Sequence, residues 1–196
     1  RAPDATGFSS DPEITVDSTA LNDTGQITRV DDYYFAGLEG AIVRGPFSVQ
    51  TEYGMVNISR KNNQSNQPAF QDLMFNGYYV QTSYFLTGES RNYYPRFAAF
   101  WRVTPKRDFS LSNGTWGAWE IGLRYSFLDL DDGASNLSGG GVRGGIASNY
   151  TLGLNWYLNP FVRAQINYVY TDAENLTDAG LAEGDIVHIV GTRLQI

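Results

Sequence analysis

Charged side chains of two kinds recur at alternate positions in several runs of the chain, so that each would project from one side of a β-strand. An arginine guanidinium can offer two parallel N–H donors to phosphate or carboxylate oxygens, so arginines in such positions can form an anion path. Glutamates on the same side can instead pair with the arginines across neighbouring strands. The sequence leaves both interpretations open. The residues are Arg124, Arg163 and Arg193, together with Glu39, Glu52 and Glu120.

Three amide side chains share the polar positions of two consecutive runs. Asn155 belongs to the first run, and Gln165 and Asn167 belong to the second. Charged and polar groups that ring a water-filled pore tune which ions pass, without forming one tight binding site. We therefore treat these three amides and the six charged residues as one set of candidates that line an aqueous path.

The residues that hydrolytic enzymes need are scarce in this chain. It has no cysteine and one histidine, His188, which falls at an apolar position of its run, so no Ser-His-Asp set can be assembled. Carboxylate pairs suited to glycoside hydrolysis are conceivable among the three glutamates, but nothing in the spacing fixes their separation. We predict that the protein is not an enzyme and that it binds no cofactor.

A short acidic run holds Asp129, Asp131 and Asp132, and carboxylates at alternate positions can converge on Ca²⁺. The rest of the EF-hand spacing is missing, which favours an ordinary solvated loop. The composition also excludes metal sites rich in histidine or cysteine. The sequence therefore predicts no bound metal.

Composition indicates a folded all-β protein. The 196 residues are 42% hydrophobic and 14% aromatic, which is enough to bury a core, and 21 glycines with 13 tyrosines favour strands and turns. The net charge of -7 argues against non-specific binding to nucleic acid, which depends on lysines and arginines that neutralise phosphates. We expect no nucleic-acid partner.

Seven runs of alternating apolar and polar residues predict seven antiparallel β-strands. The turns at 44–46 and 158–161 are short, whereas the loops that contain "DLDDGASNLSGGGVRGG" and "TDAENLTDAGLAEGD" are long and acidic. Short turns at one end of a sheet and long loops at the other are typical of outer-membrane barrels. The predicted strands span about 26–44, 47–60, 73–86, 116–130, 149–158, 162–170 and 185–196.

Two segments lie outside the predicted strands of this single region, 1–196. Residues 1–25 form a polar loop segment, and 88–115 form a connector that is too long for an ordinary hairpin turn. The connector mixes basic and aromatic residues, so it can fold into the interior, contact a second copy of the chain or lie in solvent. Its basic residues are Arg91, Arg96, Arg102, Lys106 and Arg107.

The apolar sides of the predicted strands carry aromatic rings near the strand ends, as at Tyr53, Tyr150 and Trp156. Tyrosine and tryptophan favour the interface between lipid and water, so this placement indicates strands that cross a bilayer. In a soluble sandwich, the apolar side would form the core and the polar side would meet water. Seven strands do not close a membrane barrel, and open edges cannot face hydrocarbon, so we predict a portion of a barrel.

Five stretches in order resemble the carboxy-terminal part of the phosphate-selective porin O and P family of Gram-negative bacteria. They are "FAGLEGAIVRGPFSVQTEYGMVNISR", "GYYVQTSYFLTGESRNY", "GAWEIGLRYSFLDLDD", "TLGLNWYLNPFVRAQINYVYTD" and "GTRLQI", and together they cover essentially all of 1–196. The resemblance implies an integral outer-membrane barrel of about 16 strands, of which the seven predicted strands are the last. It also implies a homotrimer that admits small anions such as phosphate or polyphosphate.

The same resemblance implies outer-membrane lipid and lipopolysaccharide as partners. Members of the family usually end on an aromatic residue, which would fall two positions beyond Ile196, so we expect a trimmed carboxy terminus. The chain starts at Arg1 without a methionine or a leader, and we expect it to begin inside a longer precursor. The arginine ladder and lysine cluster of the family lie largely in parts that precede Arg1, so they are not assigned to residues of this chain.

The sequence therefore predicts a porin through whose charged, water-filled lumen small hydrophilic solutes diffuse. Two alternatives stay open. A soluble carbohydrate-binding module would stack exposed tryptophan and tyrosine rings on sugars. A non-conducting scaffold barrel of the cell envelope would share the fold without passing ions.

Overall fold

The structure is a computed structural model that describes residues 5–11, 13–14, 20–61, 70–94, 96, 99–133, 140–174 and 185–196. The regular structure in these ranges is built from β-strands joined by turns. Within them, no helix is long and apolar enough to cross a membrane. The predicted all-β class is confirmed.

The first part of the chain folds back on itself. Strand β1 (Ala5–Thr6) pairs with β4 (Ile27–Thr28), and β2 (Ser9–Ser10) pairs with β3 (Asn22–Asp23), both antiparallel. The two pairs follow one another along a single hairpin. We call the described residues of 5–28 the N-terminal hairpin.

Seven long strands form one sheet, in which each long strand pairs antiparallel with the next one along the chain. The predicted seven antiparallel strands are confirmed. The long strands are β5 (Val30–Arg44), β6 (Phe47–Arg60), β7 (Leu73–Phe85), β10 (Ala118–Asp132), β11 (Val142–Tyr157), β12 (Arg163–Glu174) and β13 (Asp185–Gln195).

Between β7 and β10 the chain makes a long excursion, residues 86–117, which we call the connector. Its described residues include a small antiparallel pair, β8 (Tyr93–Tyr94) with β9 (Ala99–Phe100). The connector leaves the sheet at the end where the other connections, 45–46 and 158–162, are short. Strands β6, β10 and β12 end at the opposite end of the sheet, where residues 61–72, 133–141 and 175–184 follow them, and we call this the end with long loops.

The long strands depart most from the predicted ones in two places. Arg29 has a φ of 58°, a left-handed conformation that breaks the first predicted strand into β4 and β5. Strand β11 begins at Val142, well before the predicted start at 149. A Cβ added to Gly144 would lie 2.7 Å from the Cβ of Leu130, so glycine there permits close packing within a strand.

The two faces of the sheet differ in character. One, here the apolar face, carries exposed leucines: Leu38 is 75% exposed, Leu123 57% and Leu194 65%. The other, the polar face, holds Glu120 and Arg124 and is partly covered by the hairpin and the connector. A soluble sandwich would bury its apolar face under a second sheet. The described residues form one large sheet and three small pairs of strands, with no such second layer.

The N-terminal hairpin covers the polar face at the end with long loops. Ile27 of the hairpin is buried with Ile58 and Leu73 of the sheet, and Phe8 packs against Phe75 edge to face, with 5.9 Å between ring centres. Buried apolar area stabilises this contact because it is removed from water. The hairpin is therefore packed onto the sheet through a small core of its own.

The connector covers the polar face at the end with short turns. Its Val103 is buried in a second cluster with Phe85, Ala118 and Tyr157. The Phe85 and Tyr157 rings lie 5.9 Å apart between centres. Between these two apolar clusters, the polar face presents the hydrogen-bonding side chains that form the candidate site.

Candidate functional site

One row of candidate residues crosses four neighbouring strands on the polar face. Glu120 of β10 stands opposite Asn155 of β11, which stands opposite Gln165 of β12, which stands opposite Arg193 of β13. Directly opposed residues of antiparallel strands share a face of the sheet. Four of the nine candidates are therefore side by side.

The other five candidates reach the same face by strand alternation, because residues an even number of positions apart on a strand share a face. Arg124 lies four residues beyond Glu120 on β10, so the two share a face. On the other strands, the pairing register shows which residues lie on the face of Glu120. These five are Arg124 on β10, Arg163 and Asn167 on β12, Glu39 on β5 and Glu52 on β6.

Glu120 is fully buried, and its carboxylate accepts hydrogen bonds from three side chains. Arg91 donates from Nε at 2.9 Å and from Nη2 at 2.7 Å, both to Oε1. Tyr157 Oη donates to Oε2 at 2.8 Å, and Asn155 Nδ2 donates to the same oxygen at 3.1 Å. Gln165 extends the network by donating to Asn155 Oδ1 at 2.7 Å. A buried carboxylate is stable only when it is paired and hydrogen-bonded in this way.

Arg91 belongs to the connector, so its ion pair ties the connector to the sheet. Arg91 Nε also donates to Ser83 Oγ at 3.2 Å. Within the connector, the buried Glu89 accepts a hydrogen bond from the backbone N–H of Lys106 at 3.1 Å. Within this chain, the connector therefore packs against the polar face of the sheet.

Arg124 forms a second anchor, between the sheet and the N-terminal hairpin. Its Nε donates to Glu13 Oε1 at 3.0 Å, and its guanidinium lies 3.9 Å from the centre of the Tyr79 ring. Ser126 Oγ donates to the same glutamate oxygen. A cavity of about 550 Å³ opens beside this contact and is also lined by Glu52. The middle of the polar face therefore has open space beside it and carries both signs of charge.

The three candidate arginines do not pair with the three candidate glutamates, as one interpretation of the sequence required. Glu120 stands opposite an asparagine in the register, and Arg124 stands opposite Gln81 and Thr151. Neither charge has an opposite charge directly across the sheet. Segments that lie off the sheet supply the partners instead, through Arg91 and Glu13.

The remaining polar candidates are less constrained. Arg163 donates from Nη2 to Gln195 Oε1 at 2.9 Å and from Nη1 to Tyr157 Oη at 3.3 Å, so both its partners are neutral. Arg193 is exposed on β13, the outermost strand of the sheet. Asn167 lies over Gly153, where its Oδ1 is 2.7 Å from the position that a Cβ would take.

Glu39 and Glu52 stand directly opposite each other on β5 and β6, and both are exposed. Like charges in directly opposed positions repel each other. This pair gives the β5–β6 part of the polar face a local negative charge. The arginines of the candidate set lie on β10, β12 and β13 instead.

Indole rings border the apolar face at the end with short turns. Trp119 and Trp156 stand opposite each other and stack with 5.1 Å between ring centres and 14° between their planes. Phe109 of the connector packs edge to face on Trp156, also at 5.1 Å. The Trp156 Nε1 donates to the backbone oxygen of Trp116 at 2.7 Å.

Phenol rings form a second border, towards the long loops. Tyr125, Tyr150 and Tyr170 stand in one row, with neighbouring ring centres 4.9 Å and 5.9 Å apart. The row ends at His188, which stands opposite Tyr170. The Nδ1 of His188 is 2.7 Å from Tyr168 Oη, so the histidine is packed among tyrosines, as its apolar position predicted. Six residues separate the rows along β10, which corresponds to about 20 Å of strand.

The acidic run lies at the end of β10, where the sequence predicted a loop. Asp131 Oδ1 accepts a hydrogen bond from the backbone N–H of Gly145 at 2.7 Å, and Asp132 Oδ2 accepts one from Met74 at 2.6 Å. A register shift between Asp129 and Asp131 marks a β-bulge. These carboxylates stabilise the irregular ends of neighbouring strands.

Comparison with known proteins shows which protein family this chain belongs to. The model of the family described as phosphate-selective porin O and P matches residues 5–196. The chain belongs to this family. The resemblance in the five ordered stretches is therefore confirmed, and a porin family fits a channel better than an enzyme.

Two relatives of this porin-family chain are longer than the chain itself. It is 36% identical to Porin O of Pseudomonas aeruginosa over 144 residues, 72% of this chain and 30% of that protein. It is 28% identical to an uncharacterized protein of Caulobacter vibrioides over 200 residues, covering 100% of this chain and 36% of that protein. The porin-family chain spans about a third of the length of these relatives.

Proposed function

We propose that the chain supplies about seven strands of a closed transmembrane barrel in the bacterial outer membrane, as a single carboxy-terminal region of a porin. The observation that carries this proposal is the exposed apolar face between two aromatic borders. Apolar side chains in such an array are stable in contact with lipid, and tyrosine and tryptophan suit the two interfaces. Family membership supports the same location.

The strand lengths support a membrane-spanning role. A tilted transmembrane strand needs about 9–11 residues, and β10 has 15 and β12 has 12. The residues of β10 beyond this length lie at its long-loop end and are acidic, which suits the aqueous side of an interface. The outer strands β5 and β13 would pair with strands from the rest of a longer protein, because an open edge cannot face hydrocarbon.

We further propose that the polar face lines a water-filled channel for small hydrophilic solutes, and that phosphate or polyphosphate is among them. The family description and the name Porin O support an anion channel. In this region, Glu13 and Glu120 neutralise Arg124 and Arg91, so among the candidate residues the positive charge without an ion-pair partner comes from Arg163 and Arg193. We propose a homotrimer in contact with outer-membrane lipid and lipopolysaccharide.

Planar-bilayer recording of the complete protein tests the proposal. We expect stable conductance steps, a reversal potential in a KCl gradient that indicates anion preference, and a smaller chloride current when phosphate is added. Cation preference or insensitivity to phosphate would leave a general porin and remove the phosphate assignment. Absence of conductance from a protein that has inserted would instead favour the scaffold alternative.

A further inference from the structure

A second cavity, of about 410 Å³, lies on the polar face at the end with short turns. It lies between the connector, the 158–162 turn that joins β11 to β12 and the end of β13, and it is open to solvent on one side. Three arginines from two segments line it: Arg91 and Arg102 from the connector, and Arg163 from the start of β12. Its position is distinct from the cavity beside Arg124 and Glu13.

Each of these guanidiniums lies over an aromatic ring. Arg91 is 5.5 Å from the centre of Phe100, Arg102 is 4.7 Å from that of Phe161, and Arg163 is 5.4 Å from that of Tyr157. Cation–π contact uses the flat face of a guanidinium. It leaves the N–H donors at the edge, in the plane where they bind a carboxylate or phosphate with two parallel hydrogen bonds.

The charge of the cavity is unbalanced. Glu120 neutralises Arg91 through two hydrogen bonds. Arg102 and Arg163 have no carboxylate within ion-pair distance among the residues that the structure describes. Two positive charges therefore face one water-accessible space, which favours an anionic occupant.

The size and lining of the cavity restrict what that anion can be. A volume near 410 Å³ suits a small organic molecule and exceeds what a single inorganic oxyanion fills. Two rings of the lining are exposed, Trp101 by 58% and Phe161 by 67%. Phe161 lies in the 158–162 turn, beyond the indole border at Trp156, and Trp101 lines the same cavity, so contact with hydrocarbon between the two borders does not account for these rings. An anion with an apolar body would cover them.

We propose that this cavity binds organic anions that carry an aromatic or apolar group, with Arg102 and Arg163 holding the acid group and Phe161 and Trp101 holding the body. The proposal rests on the proposed channel function for how a solute reaches the cavity. It extends the range of solutes beyond inorganic phosphate to acids such as aryl carboxylates. Their recognition would use both charge and ring contact.

Benzoate and acetate provide the test because they share a carboxylate and differ in the ring. In planar bilayers of the complete protein, we expect benzoate to halve the chloride current at a concentration about tenfold or more below that of acetate. Arg102→Gln should raise the benzoate concentration that halves the current about tenfold, since a charge-assisted hydrogen bond is lost. Phe161→Leu should raise the benzoate concentration that halves the current and leave the acetate concentration unchanged. Arg107→Gln removes a connector charge that does not line the cavity and is the matched control.

Equal potency of benzoate and acetate, or equal effects of Arg102→Gln and Arg107→Gln, would overturn the proposal while the channel still conducts in KCl. Calorimetric titration of the detergent-solubilised complete protein with benzoate separates the two proposals further. Heat of binding that Arg102→Gln abolishes supports the cavity even if no conductance is found. In that case it is the channel function that fails.

Discussion

Arg91 of the connector and Glu120 of the sheet meet at 2.7 Å, and the glutamate is fully buried. The arginine is 18% exposed, so the pair lies under the connector and away from bulk water. The contact fixes a segment that has no long strand of its own against the wall of the sheet. Together with the buried Val103 cluster, this ion pair therefore sets how closely the connector packs over the polar face.

Replacing Glu120 tests this dependence. Breaking a buried ion pair by removing one partner typically costs about 3–5 kcal/mol, so we expect Glu120→Ala to lower the free energy of unfolding by about that amount. Detergent-solubilised protein unfolded in urea gives the measurement. We also expect a larger single-channel conductance, because the connector is released from the wall. Glu39→Ala, at an exposed position of the same face, is the control. Equal effects of the two variants would contradict the anchoring role.

The orientation of the sheet is tested by arginine at two consecutive residues. Ile166 is 47% exposed on the apolar face between the aromatic borders, and Asn167 lies on the polar face. An arginine that faces lipid near the bilayer midplane costs about 2–4 kcal/mol, so we expect Ile166→Arg to reduce assembly in liposomes strongly. Asn167→Arg should assemble at the level of the wild type. If both variants assemble equally well, the apolar face does not contact lipid.

Gly117 marks where the connector rejoins the sheet, and it should not tolerate a side chain. Its φ is 68°, and an added Cβ would lie 2.2 Å from the backbone oxygen of Tyr157. A strained left-handed residue typically costs about 1–3 kcal/mol, and we expect Gly117→Ala to destabilise the protein by at least that range. Gly153→Ala is the control, because the Cβ there meets the movable side-chain end of Asn167. Urea unfolding in detergent compares them, and equal stability would show that the backbone shifts without cost.

Removing one of the two opposed glutamates should make the channel more anion-selective. Glu39 and Glu52 repel each other on the polar face, so Glu52→Gln removes a lumen charge and relieves a repulsion of roughly 0.2–1 kcal/mol. We expect the reversal potential in a KCl gradient to move towards that of chloride. Asp172→Asn removes the same charge from the apolar side of β12, opposite Ser148, and should leave the potential unchanged. A shift of the same size in both variants would argue against a lumen at Glu52.

Alternation of side chains predicted the sheet well because it is a local property of a strand. It gave seven strands and put residues such as Glu120, Asn155 and Gln165 on one face, which the register then joins in a row. It failed where backbone geometry decides, as at Arg29, whose positive φ ends one strand and starts another.

The partners of the buried and half-buried charges could not be predicted in this way. Glu13 and Arg91 lie in segments without periodicity, and 111 and 29 residues separate them from Arg124 and Glu120. Such contacts depend on how the hairpin and the connector fold back over the sheet. The available signal was limited to the mixture of arginines and aromatic rings in the connector, which indicated packing without naming a partner.

The central claim is that one face of the sheet meets lipid and the other lines a water-filled lumen. The 196-residue chain has no cysteine, so single cysteines can be introduced at Leu154 and Asn167, which lie on opposite faces of neighbouring strands. The measurement is the rate at which a charged, water-soluble methanethiosulfonate modifies each variant of the complete protein during bilayer recording. We expect rapid modification of Asn167→Cys with a step change in current, and none at Leu154→Cys. Modification of Leu154→Cys at a similar rate, with Asn167→Cys silent, would contradict the account.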